Sequence, residues 1–245
     1  MLPLVTIMMP TRNRGHLILD AIYSLINQTY TDWELIVLDD CSSDKTEELI
    51  KLVSEFDNRV KYFKTDSPFN SIPKSRNKLL KLARGEFIGH LDDDDFLRED
   101  AIESIMSEFI GKPDLALVYS DYIMVDENKN FIREDVGSDF DKDKLPWLGF
   151  RHFTIYKKSV AMEFGFNEHI PWCEDGDLFM QIARKFQCKR VPQFLYYYRS
   201  HRINTGHQRP SCFVCPKQKL CNYFKIWKEE YERVVAPKIV MQNKN

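Results

Sequence analysis

Two clusters of carboxylate side chains in this 245-residue sequence have residue types and spacing that could do chemistry. In the first, Asp92, Asp93, Asp94 and Asp95 are consecutive, and apolar residues stand on both sides of them. Carboxylates held side by side repel one another, so they stay ionised together only where a cation neutralises them or water surrounds them. The apolar flanks indicate that these four residues, which we call the aspartate quartet, lie at the end of a buried strand.

Asp92 and Asp94 are separated by one residue. In an extended segment, residues two apart project to the same side, so both carboxylates could contact one ion while Asp93 points elsewhere. Carboxylate oxygens suit Mg²⁺ or Mn²⁺ better than zinc. A solvated or helix-capping run of aspartates is the commoner alternative, and the surrounding sequence has to decide between the two.

The second cluster is the acidic sequence EDGD at residues 174–177. Leu178, Ile182 and Phe186 follow it at the spacing of one helical face, which places the acids in the first turn of a predicted helix. Acidic residues in that position interact favourably with the helix dipole, and this is their ordinary role. Catalysis is the alternative, and it needs support from other parts of the sequence.

The elements that must position these acids are predicted to form an α/β sheet. Apolar periodicity in the first half predicts a strand at 5–9, a helix at 17–28, a strand at 34–38, a helix ending at Phe56 and a strand at 60–63. Two strand and helix units this early imply a parallel sheet, whose functional groups lie on loops at the carboxyl ends of its strands. Such loops carry Pro10 and Thr11, Asp39 and Asp40, and the aspartate quartet.

The second half is predicted to continue with helices and strands. Its expected elements are a helix at 101–110, a strand at 115–125 carrying Asp121, a turn at 128–130, an acid-rich loop at 135–144, a strand at 191–198 and a helix at 217–235. The sequence contains no internal repeat and no low-complexity segment.

Several motifs resemble those of the family 2 glycosyltransferases. They are VTIMMPTRNR at 5–14, SLINQTY at 24–30, WELIVLDD at 33–40, SRN at 75–77 and ARGEFI at 83–88, followed by the aspartate quartet. Several motifs in register across about ninety residues are far more specific than any one of them. The resemblance covers residues 4–201 and implies an α/β fold of the GT-A type, Rossmann-like, with a mixed, mostly parallel sheet flanked by helices.

The resemblance implies an inverting enzyme that moves a sugar from a nucleoside-diphosphate sugar to an acceptor hydroxyl, in glycan or surface polysaccharide biosynthesis. UDP-sugars are the commonest donors of the family. Asp92 and Asp94 would hold Mn²⁺ or Mg²⁺, which neutralises the departing diphosphate. Asp175 would be the general base, with Glu174 beside it. Because no covalent intermediate forms, the anomeric configuration should invert.

The resemblance also implies a set of nucleotide-binding residues. Asp39 and Asp40 are expected to accept hydrogen bonds from the base and the ribose, although Asp40 could instead cap a loop or a helix. Arg76 is expected either to contact the diphosphate or to neutralise the acidic cluster, and Asn77 to be structural. The complete set is Pro10, Thr11, Asn13, Arg14, Asp39, Asp40, Arg76, Asp93 and Arg199.

A basic stretch follows the second acidic cluster. Between Leu178 and Trp227 there is no Asp or Glu, whereas Lys and Arg recur. Such a stretch favours an anionic partner: a phosphorylated ligand, an acidic surface or the acidic loops of the same chain. YRSHR at 198–202 resembles the family's late basic loop, which folds over the donor phosphates. His201 is a candidate third metal ligand, and the basic residues alone could also supply the counter-charge.

The cysteines divide into two groups. Cys212 and Cys215 form a C-x₂-C pair, and with Cys221 and His207 they could bind a structural Zn²⁺. An iron–sulfur cluster and coincidence are the alternatives. The remaining cysteines, Cys41, Cys173 and Cys188, are expected to be reduced thiols.

Composition and hydropathy narrow the class of protein. The formal net charge of −2 gives no general reason to expect nucleic-acid binding. No apolar run approaches the ~18 residues of a membrane helix, and residues 1–9 resemble a buried strand more than a signal peptide. We therefore expect a soluble, cytoplasmic protein, with peripheral membrane contact left open because acceptors in this family are often lipid-linked. The sequence does not indicate an oligomeric state.

Four further residues qualify the resemblance. Cys41 stands where the family usually has a small residue such as glycine, and Gln181 stands where an arginine often occurs. Trp147 and Trp172 could stack on a sugar ring or pack in the interior.

Two other functions remain open from sequence: a nucleotidyltransferase, which would be expected to carry a glycine-rich nucleotide loop, and a catalytically silent protein that binds nucleotide sugars. The expected organisation is a glycosyltransferase domain at 1–205, with a nucleotide-binding half at 1–97 and an acceptor-binding half at 98–205, then a cysteine-containing loop and helix at 206–245.

Overall fold

The computed structural model describes residues 2–139, 150, 152–170 and 174–201. The chain divides into two compact units, residues 1–200 and 201–245, and His201 is the residue of the second unit that the structure describes. Several predictions concern residues outside the described ranges: Trp147, Trp172, Cys173, His207, Cys212, Cys215, Cys221, most of the loop at 135–144, and the helix at 217–235. The elements below all belong to the first unit.

Nine strands and six helices form in the described part of the first unit. The strands are β1 (Val5–Thr11), β2 (Trp33–Asp39), β3 (Val60–Lys64), β4 (Phe87–His90), β5 (Phe96–Leu97), β6 (Leu115–Val125), β7 (Phe131–Asp135), β8 (Thr154–Lys157) and β9 (Gln187–Arg199). The helices are α1 (Ile18–Ile26), α2 (Thr46–Phe56), α3 (Ile72–Leu82), α4 (Ala101–Ser107), α5 (Lys158–Phe164) and α6 (Glu174–Lys185).

The strands form one sheet in the order β3-β2-β1-β4-β8-β6-β9-β5, and β7 pairs with β6. The first four strands are parallel. Strand β8 is antiparallel to both of its neighbours, β9 is parallel to β6, and β5 is antiparallel to β9. The predicted α/β fold, with a mixed sheet flanked by helices, is confirmed.

Strands β1 and β2 lie inside the fold, with a neighbouring strand on each side. Every residue of β2 is buried, and so are all but one of β1. Strand β4 lies against β1 at very close range, since a Cβ atom on Gly85 would lie 2.7 Å from the backbone oxygen of Leu4 and the backbone nitrogen of Thr6. A glycine is therefore required two residues before β4, because any side chain there would push the chain away from β1.

The register brings three strand ends to one edge of the sheet. Thr11, at the end of β1, pairs with Asp39, at the end of β2. His90, at the end of β4, pairs with Met8 of β1. The loops after these three strands therefore start side by side, as the sequence predicted for a parallel sheet.

Element boundaries differ from the predictions in a few places. Strand β6 has the predicted bounds, whereas α4 ends three residues before the predicted Ile110. Strand β9 begins four residues early because Gln187 and the residues after it pair with β6. Helix α3 and strand β7 have no counterpart among the predicted elements, since lysines interrupt the apolar pattern of α3 and the whole of β7 is exposed or half-buried. In the described ranges, no helix combines the length and the apolar composition needed to cross a bilayer.

Candidate active site

The aspartate quartet forms a turn at the end of β4. The backbone N–H of Asp95 donates to the carbonyl oxygen of Asp92 at 3.3 Å, so the segment is not extended. The predicted alternation of side chains is therefore wrong. Asp93 and Asp94 both face Arg14, whose Nε lies 3.4 Å and 3.9 Å from their carboxylate oxygens.

Asp95 points into the interior and has a structural role. Its Oδ2 accepts a hydrogen bond from Tyr196 Oη at 2.6 Å, and its Oδ1 accepts one from the backbone N–H of Arg199 at 2.7 Å. Both partners belong to β9. Asp95 thereby fixes the loop of the quartet onto the far half of the sheet.

Charge is crowded in this loop. Burial and the nearby charge of Asp94 raise the pKa of Asp93 well above its usual value. Burial, Asp94 and Asp92 do the same to the pKa of Asp95. Raised carboxyl pKa values mean that the local positive charge does not balance these acids.

A hard divalent cation would relieve this repulsion, and the donors present are carboxylate oxygens, which such ions prefer. Asp92 and Asp94 are the candidate ligands, and the Asp92 side chain is 34% exposed. Within the described ranges, no group of three or more His, Cys, Asp or Glu side chains has the arrangement of a metal site. A cation held by two carboxylates would therefore need further ligands from another source.

The buried guanidinium of Arg76 joins the two acidic clusters. Arg76, on α3, is 4% exposed. Its Nη2 donates to Asp92 Oδ1 at 3.2 Å and its Nε donates to Glu174 Oε1 at 2.9 Å, across 98 residues of sequence. Its Nη1 contacts His90 Nδ1 at 2.8 Å. Of the two roles predicted for Arg76, the structure shows neutralisation of the acidic cluster.

Glu174 and Asp175 begin α6 and differ in exposure. Glu174 is 3% exposed, and burial raises its pKa while the neighbouring Arg76 opposes the rise. Asp175 is half-buried, and its Oδ1 accepts a hydrogen bond from the backbone N–H of Gly176 at 2.7 Å. Burial raises the pKa of Tyr156, and the charge of Asp175 adds to this rise. Asp175 is therefore the more accessible carboxylate of the pair.

Asn77 and Gln181 stabilise the surroundings of these acids. Asn77 exchanges two hydrogen bonds with the backbone of Phe166, each of 2.8 Å, so its predicted structural role is confirmed. Gln181 stands where an arginine often occurs in the family, and its Nε2 donates to Asp177 Oδ2 at 2.9 Å. In this chain an amide and a carboxylate interact at this position.

Asp39 and Asp40, at the end of β2, are held by groups of the protein. Asp39 is fully buried, and it accepts hydrogen bonds from the backbone N–H of Ser42 at 2.7 Å and from Tyr62 Oη at 2.8 Å. Asp40 accepts hydrogen bonds from the backbone N–H groups of residues 69 and 70, at 2.6 Å and 3.0 Å. The loop role that the sequence left open for Asp40 is thus present, and contact with a nucleotide stays a prediction.

The segment after β1 is fixed against the segment after β2. Asn13 has a φ of 54°, donates its backbone N–H to Ser42 Oγ at 2.8 Å, and accepts from the backbone N–H of Ser43 at 2.8 Å. The backbone N–H of Arg14 donates to Thr46 Oγ1 at 2.9 Å. These contacts place the predicted nucleotide-binding residues of both loops side by side, with Pro10 and Thr11 at the end of β1.

Cys41 explains one departure from the family pattern. Its φ is 61°, in the left-handed region that glycine adopts without steric cost. The thiol donates to the carbonyl oxygen of Thr65 at 3.2 Å, which supports the turn. A glycine at this position in relatives would relieve the same backbone conformation.

Arg199 is held by a carboxylate of the protein. Its Nη2 donates to Asp20 Oδ2 of α1 at 2.7 Å, and its predicted contact with the donor nucleotide stays a prediction. The side chain is almost fully buried, and it connects β9 to α1. The predicted role of His201 as a metal ligand stays a prediction, since that residue belongs to the second unit.

Three residues of this centre were missed from sequence: His90, Tyr156 and Tyr196. His90 contacts Arg76, Tyr156 contacts His90, and Tyr196 contacts Asp95. The available signal was His90 itself, a polar residue at the end of an apolar run, two positions before the quartet. Tyr156 and Tyr196 lie in strands of ordinary apolar composition, so only the pairing of those strands identifies them.

The chain is similar in sequence to known glycosyltransferases over most of its length. Residues 6–169 match the sequence model of Glycosyl transferase family 2. Hyaluronan synthase from Pasteurella multocida is 31% identical over 228 residues, which are 89% of this chain and 23% of that protein. The chain thus spans about a quarter of the length of that relative.

Solved structures show the same architecture. S. aureus TarS in complex with UDP-GlcNAc superposes with a TM-score of 0.68 at 20% identity, covering 84% of this chain and 61% of that one. A mannosyltransferase from Pyrobaculum calidifontis, in complex with GDP-Man and Mn²⁺, superposes with a TM-score of 0.67 at 15% identity, covering 85% and 60%. These likenesses confirm the GT-A fold. Because the family match covers more than half of its length, the chain belongs to glycosyl transferase family 2.

Proposed function

We propose that this chain transfers a sugar from a nucleoside-diphosphate sugar, most simply a UDP-sugar, to an acceptor hydroxyl, with a divalent metal and with inversion. The observation that carries the proposal is the Arg76 guanidinium, which joins Asp92 of the quartet to Glu174 at the start of α6. The candidate metal ligands and the candidate base thereby belong to one centre. The structural neighbours named for UDP-GlcNAc and for GDP-Man with Mn²⁺ support the donor class and the metal.

On the donor side, Asp92 and Asp94 would hold Mn²⁺ or Mg²⁺. The ion, when bound, supplies positive charge to the diphosphate as it leaves. Pro10, Thr11 and Asn13 would border the nucleotide. Arg14 belongs to the segment after β1 and contacts Asp93. It would hold that segment, which borders the nucleotide, against the aspartate quartet.

On the acceptor side, Asp175 would take the proton of the attacking hydroxyl. Its Oδ1 is occupied by the N–H of Gly176, so Oδ2 is the oxygen that receives the proton. The acceptor oxygen forms its bond to the anomeric carbon while the bond from that carbon to the diphosphate oxygen breaks. This single displacement inverts the anomeric configuration. The acceptor would be a glycan, a lipid-linked sugar or another hydroxyl compound.

The variant Asp175→Asn tests this assignment. Asparagine keeps the shape of the side chain but cannot accept the proton, so transfer should fall by about 10²–10⁴-fold. Binding of Mn²⁺·UDP, measured as a rise in melting temperature, should persist, because Asp175 does not contact the donor nucleotide in this proposal. Transfer is measured with a panel of UDP- and GDP-sugars, and NMR of the product reports its anomeric configuration.

Asp177→Asn is the matched control. Asp177 lies in the same helical turn, also half-buried, and pairs with Gln181. It should retain transfer close to that of the unmodified protein. Equal losses in the two variants, or full activity of Asp175→Asn, would contradict the assignment of the base.

A further inference from the structure

His90 is a buried polar side chain whose role the proposed mechanism leaves open. It ends β4 and is 2% exposed. Three rings surround it: Tyr156, Phe166 and Phe179, with ring centroids at 5.3, 5.7 and 5.8 Å from its own. These rings come from β8, the segment after α5, and α6. The imidazole is therefore held at the junction of three parts of the fold.

The hydrogen bonds of His90 determine which ring nitrogen carries the proton. Arginine only donates hydrogen bonds, so Nδ1, at 2.8 Å from Arg76 Nη1, must be an acceptor. Nε2 therefore carries the hydrogen and donates to Tyr156 Oη at 2.5 Å.

The three acceptors around Arg76 are not equally fixed. Asp92 is partly exposed and is a proposed metal ligand, so a cation there would compete with the guanidinium for its oxygens. Glu174 is a buried carboxylate in the first turn of α6. His90 is neutral, enclosed by rings and bonded to β8, so a change of charge at Asp92 does not displace it.

We propose that His90 is a positioning residue that acts through Arg76. Its Nδ1 holds the guanidinium in the plane that reaches Asp92 and Glu174 together. The aspartate quartet and the start of α6, which carries the candidate base, are therefore held in a fixed relative position. This inference rests on the proposed function for its consequence in catalysis, but its geometric part concerns only residues of this chain.

Two amide variants distinguish the role of ring nitrogen Nδ1 from that of Nε2. In His90→Asn, the amide oxygen can occupy the place of Nδ1 and accept from Arg76, while the contact with Tyr156 is lost. In His90→Gln, the longer amide reaches the place of Nε2 and Tyr156, and the acceptor at Nδ1 is lost. Tyr156→Phe removes the second contact alone.

We expect His90→Gln to lower kcat by about 10–100-fold with a smaller change in the donor KM, as for other residues that orient a ligand from behind it. The Mn²⁺ concentration needed to stabilise the UDP complex, read from melting curves, should rise by about tenfold. His90→Asn should recover most of both losses, and Tyr156→Phe should stay near the unmodified protein. If His90→Gln does not fold, His90→Phe replaces it, since it keeps an aromatic ring among its three neighbours.

A purely structural role would give a different pattern. Losses in His90→Asn and His90→Gln that are equal, and that follow the melting temperature alone, would overturn the proposal. Full Mn²⁺·UDP stabilisation in His90→Gln would overturn it as well. If the unmodified protein binds Mn²⁺·UDP but transfers no sugar from any donor, the proposed function fails, and the binding comparison still decides the role of His90.

Discussion

The loops after β2 and β4 carry the same residue type at the same edge of the sheet, yet their carboxylates are in opposite situations. After β2, Asp39 and Asp40 accept hydrogen bonds from backbone N–H groups and from a tyrosine hydroxyl. After β4, burial and the nearby charge of Asp94 raise the pKa of Asp93 well above its usual range. The first loop is satisfied by the protein itself, and the second would be relieved by added positive charge.

The difference shows that two aspartates at a strand end do not by themselves indicate a cation site. Backbone N–H groups can satisfy a carboxylate completely, and it then organises a loop. Around Asp93 and Asp94, the guanidinium of Arg14 supplies compensating positive charge. The excess of negative charge is what makes the second loop suitable for a cation.

The largest effect is expected from removing the guanidinium of Arg76. Arg76→Met leaves Glu174 buried without its partner, which should lower the free energy of unfolding by about 3–5 kcal/mol. Transfer should fall by at least about 100-fold, because the two acidic clusters lose their connection. Arg76→Lys keeps the charge but not the planar fork, so its loss should be intermediate. Urea denaturation and initial rates measure the two quantities.

Arg190→Met is a matched control for that variant. Arg190 also pairs with a buried carboxylate, Asp121, through two hydrogen bonds of 2.9 Å and 2.7 Å. Its loss should destabilise the fold to a similar degree, while the remaining folded protein keeps its response to Mn²⁺·UDP. If Arg190→Met abolished that response as completely as Arg76→Met, the special position of Arg76 would be refuted.

A smaller effect, of opposite sign, is expected at Asp93. Its raised pKa means that the folded protein binds a proton there more readily than the unfolded chain, so stability is lost as pH rises above about 3.9. Asp93→Asn removes this loss. In the absence of metal, its melting temperature should exceed that of the unmodified protein by a margin that grows from pH 4 to pH 7. Calorimetry at several pH values measures the margin.

Saturating Mn²⁺ should shrink the margin, because the ion supplies the missing charge to the unmodified protein. A margin that did not change with pH would mean that repulsion in the quartet is unimportant. The contrast between the loops after β2 and β4 would then disappear.

The smallest effect is expected at Cys41, in the loop after β2. Glycine relieves the positive φ but adds freedom to the unfolded chain and loses the thiol contact, so Cys41→Gly should change the free energy of unfolding by less than about 1 kcal/mol. Cys41→Val should destabilise by about 1–2 kcal/mol, since a β-branched residue is strained at this φ. Urea denaturation measures both changes. Neither should depend on Mn²⁺, because this strain lies in the backbone.

The sequence predicted the elements in which apolar residues mark the buried positions. Strand β6 is apolar except for Ser120 and Asp121, and its predicted bounds agree with the structure. Helix α3 was not predicted, because its outward face is rich in lysine and its buried face includes Arg76, which no apolar pattern identifies. The turn of the quartet was also missed, since the bond between the backbones of Asp92 and Asp95 leaves no mark on residue type.

The sequence by itself determined the family, the first three strands with the two helices between them, and the positions of the two acidic clusters. These follow from motifs and from apolar periodicity, which are local properties of the chain. Only the tertiary structure decided that Arg76 joins the clusters, that His90 stands behind it, and that Arg199 turns to Asp20. Each of these contacts depends on which charged groups share a buried space, and the balance of charge in that space is set by residues as far as 179 positions apart.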